Sequence, residues 1–183
     1  MKNLIVKVAL SAIFLAASSS FANLRADLTA GTMSASGDVL GHYDVAYKEK
    51  LSKTEHRLSV GSSLGLGYFI ADNLLLEGRL PIEYRRANQS NSLWLGVSVG
   101  IDYFFDIGNT LYPYLGISVT PAYMTHVKKF ILETGPKFGM LVSLSESVAL
   151  DFGIKSDLGI KLSATDQWSV KTAVGFIGVR AFF

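Results

Sequence analysis

Apolar and polar residues alternate with a period of two along most of this chain. In the run Leu74–Arg86, one set of alternate positions reads Leu, Leu, Gly, Leu, Ile, Tyr, and the other reads Leu, Glu, Arg, Pro, Glu, Arg. This period is typical of a β-strand with two unlike faces. The pattern predicts eight strands: Asn23–Ser34, Glu55–Phe69, Leu74–Arg86, Ser92–Phe105, Leu111–Met124, Phe130–Leu144, Val148–Lys161 and Trp168–Phe183.

Two all-β arrangements share this period. In a soluble barrel the apolar face lines the core, and such a protein could bind an apolar ligand in the periplasm. In a membrane barrel the apolar face meets lipid and the charged face fills the lumen. Most of the runs reach the roughly 9–11 residues that a tilted strand needs to cross a membrane.

Three features favour the membrane barrel. Small residues recur on the polar face, where a narrow lumen needs them: Gly61, Gly65, Gly67, Gly96, Gly100, Gly135, Gly139, Gly153 and Gly159. Aromatic residues gather at both ends of the runs, as at membrane interfaces: Tyr68, Phe69, Tyr103, Phe104, Phe105, Tyr112 and Tyr114 at one end, and Tyr84, Trp94, Tyr123, Phe130 and Trp168 at the other.

The third feature is the asymmetry of the connections. Tight turns are predicted at Ile70–Asn73, Asp106–Thr110 and Ser145–Ser147, and they alternate with a long charged loop, Ala35–Thr54, and three short polar loops. Membrane barrels have short turns on the periplasmic side and longer loops outside.

The first 22 residues have the order of a secretory signal peptide. Two lysines precede a run of about ten apolar residues and a small-residue stretch, so we expect cleavage between Ala22 and Asn23 and a single barrel domain over residues 23–183. The apolar run is too short for a membrane anchor. Removing Lys2 and Lys7 reduces the 17 basic residues to 15, which balance 15 acidic ones. This neutral charge argues against a nucleic-acid partner.

Two segments resemble a known family. Gly67–Leu76 (GYFIADNLLL) resembles the strand–turn–strand signature of the small outer-membrane β-barrel proteins, the group of OmpX and the OmpA transmembrane domain. The ending with Val179, Ala181 and Phe183 resembles the signal that such proteins present to the outer-membrane insertion machinery. The resemblance implies an eight-stranded antiparallel up-and-down barrel in the bacterial outer membrane. Its members include scaffolds, adhesins, small pores and lipid-modifying enzymes.

The predicted lumen holds six acids and six bases. They are Glu77, Glu83, Asp102, Glu133, Asp151 and Asp157 with Arg79, Arg85, Lys137, Lys155, Lys161 and Arg180. Because buried charge is costly unless it is paired, this balance predicts an ion-pair network that closes the lumen. A small-solute pore is the alternative. If Arg180 points into the lumen, strict alternation places Lys171 on the lipid-facing side. Either a bulge in the last strand or a Lys171 side chain that extends to the membrane interface would reconcile this assignment.

Residues for other chemistry are sparse. His42, His56 and His126, with Ser52, Ser59, Asp44, Glu49 and Glu55, would have to supply a lipid A-modifying site, and no spacing supports one. We therefore predict no enzyme, no metal and no cofactor.

The expected partners are outer-membrane lipids, lipopolysaccharide and the insertion machinery. An external partner could bind through the Ala35–Thr54 loop, where Lys48, Lys50 and Lys53, with Arg57 beyond it, could contact lipopolysaccharide phosphates. A solvated loop is the alternative for this basic patch. The predicted function is a structural or surface-interaction barrel.

Overall fold

Strands dominate the part of the chain that the structure, a computed structural model, describes: residues 25–48, 53–87, 90–107, 110–125, 129–161 and 168–183. They are β1 (Met33–Lys48), β2 (Lys53–Ala71), β3 (Leu74–Ala87), β4 (Ser90–Gly96), β5 (Ser98–Phe104), β6 (Leu111–Met124), β7 (Lys129–Ser145), β8 (Val148–Lys161) and β9 (Trp168–Phe182). Among these residues no helix has the length and apolar character needed to span a membrane.

The sheet closes on itself as a barrel. Each strand pairs antiparallel with its neighbours, and β1 pairs with both β2 and β9. β4 and β5 both lie between β3 and β6, so they are the two halves of one strand. The predicted eight-stranded antiparallel up-and-down barrel is therefore confirmed.

The break between β4 and β5 lies at Val97, whose N–H donates to the carbonyl of Pro121 at 3.1 Å. The register on the two sides of the break is the same, with Gly96 opposite Ala122 and Val99 opposite Val119. Pro121 has no N–H to donate in return, so the ladder is interrupted here without a shift.

The barrel carries its apolar face outward. Leu64, Leu66 and Ile177 are 63–70% exposed, whereas Glu77, Asp102 and Arg180 are buried inside. A soluble barrel would have the opposite arrangement, so the soluble ligand-binding alternative is wrong. The predicted inward glycines do line the lumen closely: a Cβ on Gly139 or Gly153 would come within 2.4 Å of Tyr114 or the Phe138 carbonyl.

The prediction for the first strand is wrong. Asn23–Ser34 is not β1, and Ala35–Thr54 is not a long loop, because β1 runs from Met33 to Lys48 and β2 begins at Lys53. Gly37 and Gly41 occupy the outward positions of β1 and hide its alternation. Only residues 49–52 connect the two strands.

The aromatic bands are partly wrong. At the end of the barrel with the tight turns, here called the turn end, Tyr68, Tyr103 and Phe105 do face outward. Phe69, Phe104, Tyr112 and Tyr114 are instead buried in the lumen. Trp94 is also buried, nearer to the opposite end of the barrel, here called the loop end. Successive strand residues point to opposite faces, so adjacent aromatics cannot both join an outer band. The Trp168 side chain lies outside the described residues.

A bulge in β9 resolves the position of Lys171. The pairing of β9 shifts by one residue against β1, between Gly41 and His42, and also against β8, between Gly153 and Ser156. Beyond the shift, Lys171 lies opposite Asp157 of β8. The bulge alternative is therefore correct, although the Lys171 side chain itself is not among the described ones. Arg180 faces the lumen, and Phe183 is exposed on the outer side.

Candidate functional site

An apolar plug fills the lumen at the turn end. Phe69 lies at the centre, with ring centroids 5.9 Å from Phe104 and 6.3 Å from Phe182, and Phe104 stacks at 4.9 Å on Tyr114. Leu75 and Leu141 complete the layer and are fully buried. Because these rings interlock across a narrow barrel, the plug leaves an apolar layer that an ion would cross only at high energetic cost.

The segment from Arg25 to Thr32, here called the strap, lies across the turn end. Its Ala26 and Leu28 are buried and belong to the same apolar cluster as the plug. The Thr29 hydroxyl donates to Asp27 at 2.6 Å, and the Thr29 N–H at 3.1 Å. These bonds lower the pKa of Asp27 below its usual value. Tyr112 and Asp106 raise the pKa of Arg25.

A layer of ion pairs follows above the plug and is centred on Glu77. This carboxylate accepts from Arg79 at 2.7 Å and from the Ser36 hydroxyl at 2.8 Å, and it forms an ion pair with Arg180 at 3.0 Å. The Lys137 ammonium lies 3.8 Å away. Glu77 thus balances its buried charge against three cations.

Arg180 links Glu77 to the opposite side of the lumen. Its guanidinium is 0% exposed, contacts Asp151 at 3.1 Å and donates to the Ser34 hydroxyl at 3.2 Å. Asp151 also accepts from the Tyr114 hydroxyl at 2.6 Å.

The layer as a whole contains more acids than bases. Four carboxylates, Asp38, Glu77, Asp102 and Asp151, pair with three cations, Arg79, Lys137 and Arg180. Hydroxyl donors such as Ser63 and Tyr114 supply part of the remaining compensation.

Sequence reasoning missed Asp38. It contacts Arg79 and accepts from the Ser63 hydroxyl at 2.7 Å. Because Asp38 fell within the supposed Ala35–Thr54 loop, it was not counted with the lumen residues. The alternation of Ser34, Ser36 and Asp38 was the signal that could have placed it on an inward strand face.

A small polar cavity of about 60 Å³ lies towards the loop end. Its lining includes Glu83, Glu133, Trp94, Ser118 and Thr120. At this level Lys155 pairs with Asp157 at 3.1 Å. The volume is enough for a few water molecules, since one occupies about 30 Å³ of liquid volume.

The structure brings ten of the twelve predicted lumen residues inside the barrel: Glu77, Arg79, Glu83, Asp102, Glu133, Lys137, Asp151, Lys155, Asp157 and Arg180. The side chains of Arg85 and Lys161 lie outside the described residues. Six of the ten form the central layer: Glu77, Arg79, Lys137, Asp102, Asp151 and Arg180. Glu83, Glu133, Lys155 and Asp157 line the cavity together with four residues of that layer, Glu77, Arg79, Asp102 and Lys137. That these residues constitute a functional site stays a prediction.

The catalytic candidates fall mostly outside the described side chains. His42 and His56 lie on β1 and β2, and their side chains, like the whole of His126, are not described. Ser59 is buried in the lumen on β2. Within the described part of the chain, no group of three or more histidine or carboxylate side chains could hold a metal ion.

Several solved structures share the fold of this closed barrel. The fold is that of small outer-membrane β-barrels. Neisserial surface protein A matches with a TM-score of 0.63 and 18% identity over 84% of this chain and 99% of its own. The outer membrane protein OprG from Pseudomonas aeruginosa matches with a TM-score of 0.54 and 12% identity over 88% of this chain and 99% of its own. Ail, the attachment invasion locus protein of Yersinia pestis, matches with a TM-score of 0.50 and 19% identity over 85% of this chain and 100% of its own.

Sequence comparison adds nothing to this likeness, because no family model and no curated protein matches the chain. At such identities the structural likeness shows the fold alone.

Proposed function

We propose that this protein is a structural and surface-interaction barrel of the bacterial outer membrane, with a lumen that does not conduct. The observation that carries the proposal is the fully buried Arg180, held between Glu77 and Asp151 across the middle of the lumen. An ion on its way through would have to separate these pairs in a confined space, and each separated buried charge costs several kcal/mol.

The apolar plug adds a second barrier in series with the ion pairs. Phe69, Leu75, Phe104 and Leu141 are all 0% exposed, so this level holds little room for water. Selectivity filters of pores are built from rings of backbone carbonyls or of like-charged side chains. A lumen with an apolar plug at one end and a mixed-charge layer above it fits a support role better than transport.

Surface interaction is proposed for the loop end of the β1–β2 hairpin. β2 extends seven residues beyond Val60, from residue 59 to Lys53. At about 3.3 Å per residue and a tilt of about 40°, this extension projects roughly 15–20 Å past Val60. The basic residues Lys53 and Arg57 lie on this extension, and Lys48 lies opposite Lys53 at the end of β1. They could contact lipopolysaccharide phosphates, or an external partner, from a paired hairpin instead of the loop first predicted.

The turn end then faces the periplasm, and Phe183 follows β9 there. Phe183, Ala181 and Val179 occupy alternate positions of this segment, with Phe183 outward. We propose that the outer-membrane insertion machinery recognises this outward aromatic side chain.

Two measurements test the proposal. Membrane fractions should contain a heat-modifiable band, because folded membrane barrels migrate differently before and after boiling; a soluble protein without such a shift would refute the location. Refolded protein in planar lipid bilayers should give no steady unit conductance. Large, steady conductance steps from the wild-type chain would refute the closed lumen.

A small-solute pore is the second candidate, favoured only by the 60 Å³ cavity above the ion pairs. If it were correct, the conductance of the wild-type protein should change when the cavity is narrowed, for example by Ser118→Leu. If neither the wild-type protein nor the variant conducts, this candidate is excluded.

A further inference from the structure

Most of the strap lies outside the barrel ladder. β1 begins at Met33, and its pairing with β9 starts at Ser34, opposite Phe182. Only Gly31 and Thr32 continue the pairing with β2, through main-chain bonds to Phe69 at 2.8 and 2.9 Å, so residues 25–30 lie against the turn end of a barrel that is closed without them.

All three turns contribute polar partners to the strap. The Asn73 N–H donates to the Leu28 carbonyl at 2.8 Å, and the Asp72 carboxylate accepts from the Ala30 N–H at 2.9 Å. From the other two turns, the Glu146 carbonyl accepts from the Asp27 N–H at 3.2 Å, and Asp106 pairs with Arg25.

The strap presents one apolar face to the mouth of the barrel. Ala26 and Leu28 are 8% and 5% exposed and join the cluster of Phe69 and Phe182. The intervening Asp27 is exposed. Main-chain bonds combined with pockets for alternate side chains are the usual way in which proteins bind extended peptides.

We propose that the turn-end mouth is a peptide-docking site, occupied in this protein by its own strap. The site takes an extended segment with a cation followed by apolar side chains one and three residues later, as in Arg25, Ala26 and Leu28. Its pocket is the apolar plug, and its polar groups are those of the three turns. Residues 25–30 of the strap dock on the closed barrel and can leave it without opening the pairing of β1 with β2 and β9.

The tether explains how such a short segment stays docked. Because the strap is covalently joined to β1, its effective concentration at the mouth is in the millimolar range, so weak contacts suffice. The same segment supplied as a free peptide should bind only at comparable concentrations.

The test uses the full chain refolded in micelles, with Leu28→Asp to release the strap. Amide exchange is followed at Asn73 and Gly31, whose N–H groups bond to Leu28 and Phe69. Losing the burial of one leucine side chain should make amide exchange at Asn73 about 10- to 100-fold faster. Ile107→Asp, at an exposed position in the β5–β6 connection, is the matched control and should leave Asn73 unchanged. Heat-modifiable migration should be retained in both variants.

Rescue in trans completes the test. A synthetic peptide of residues 23–32 at millimolar concentration should restore Asn73 protection in the Leu28→Asp chain, and the same peptide carrying that substitution should not. Unchanged exchange at Asn73 in the variant, or failure of the wild-type peptide to restore protection, would overturn the docking site. Loss of the folded band together with the strap would overturn its independence from the barrel.

Discussion

Replacing Arg180 by methionine should weaken the barrel, because two buried carboxylates lose the cation that they share. Methionine keeps much of the buried side-chain volume and removes the charge. Arg180→Met leaves Glu77 and Asp151 without the guanidinium at 3.0 and 3.1 Å from their oxygens. Breaking a buried pair from one side costs about 3–5 kcal/mol. Because Glu77 retains Arg79, we expect a loss near the lower limit, about 3 kcal/mol.

The assay is reversible urea unfolding in phospholipid vesicles, followed by the heat-modifiable gel shift. With a urea dependence of about 1–3 kcal/mol/M, a loss of 3 kcal/mol lowers the midpoint by about 1–3 M. Arg25→Met is the control. The ion pair of Arg25 with Asp106 is exposed on both sides, so its loss should lower the urea midpoint much less than Arg180→Met does.

A double-mutant cycle separates charge coupling from simple packing. In the Arg180→Met background, Glu77→Gln removes the carboxylate that has lost its partner, so the double variant should cost about 1–3 kcal/mol less than the sum of the single variants. Additive losses, or a loss below about 1 kcal/mol for Arg180→Met, would refute the reasoning that paired charges hold the lumen closed.

Three further predictions rest on other parts of the barrel. Gly153→Ala would place a Cβ 2.2 Å from the Phe138 carbonyl oxygen, so urea unfolding should show a stability loss of about 1–3 kcal/mol. Gly41→Ala, where the added Cβ would have nothing within 4 Å, should leave the stability unchanged, and equal losses in the two variants would contradict the close packing. Leu64→Lys on the outward face should cost about 2–4 kcal/mol in vesicles, whereas a neutral result would mean that this face meets water. The lowered pKa of Asp27 means that its stabilising contribution is present above about pH 4 and is lost as the pH falls through the folded pKa. The protection factors of the strap amides should fall there, and Asp27→Asn should abolish this dependence.

Most of the barrel could be predicted from alternation alone. Leu74–Arg86 and Val148–Lys161 agree with β3 and β8 within one residue at each end, because their apolar and charged residues separate cleanly. β1 could not be predicted in this way. Its outward glycines carry no apolar signal, and only pairing with both β2 and β9 makes it a strand.

The candidate site was predictable as a set of residues but not as a set of partners. The period of two shows that Glu77 and Arg180 share the inner face, although 103 positions separate them. Their contact depends on the closing pair β1–β9 and on the stagger of the strands, which alternation does not specify. Alternation does not predict the bulge in β9 either, because only the pairing registers with β1 and β8 reveal it.

By itself, then, the sequence determined the strand-by-strand division into an apolar and a charged face, because that division needs only the two-residue period of the backbone. Tertiary structure decided which charges meet, and that four of the seven turn-end aromatics lie buried in the lumen. It also turned residues 25–32 from a predicted strand into a strap, since Ala26 and Leu28 have the spacing of a strand face but find their apolar contacts in the mouth of the barrel.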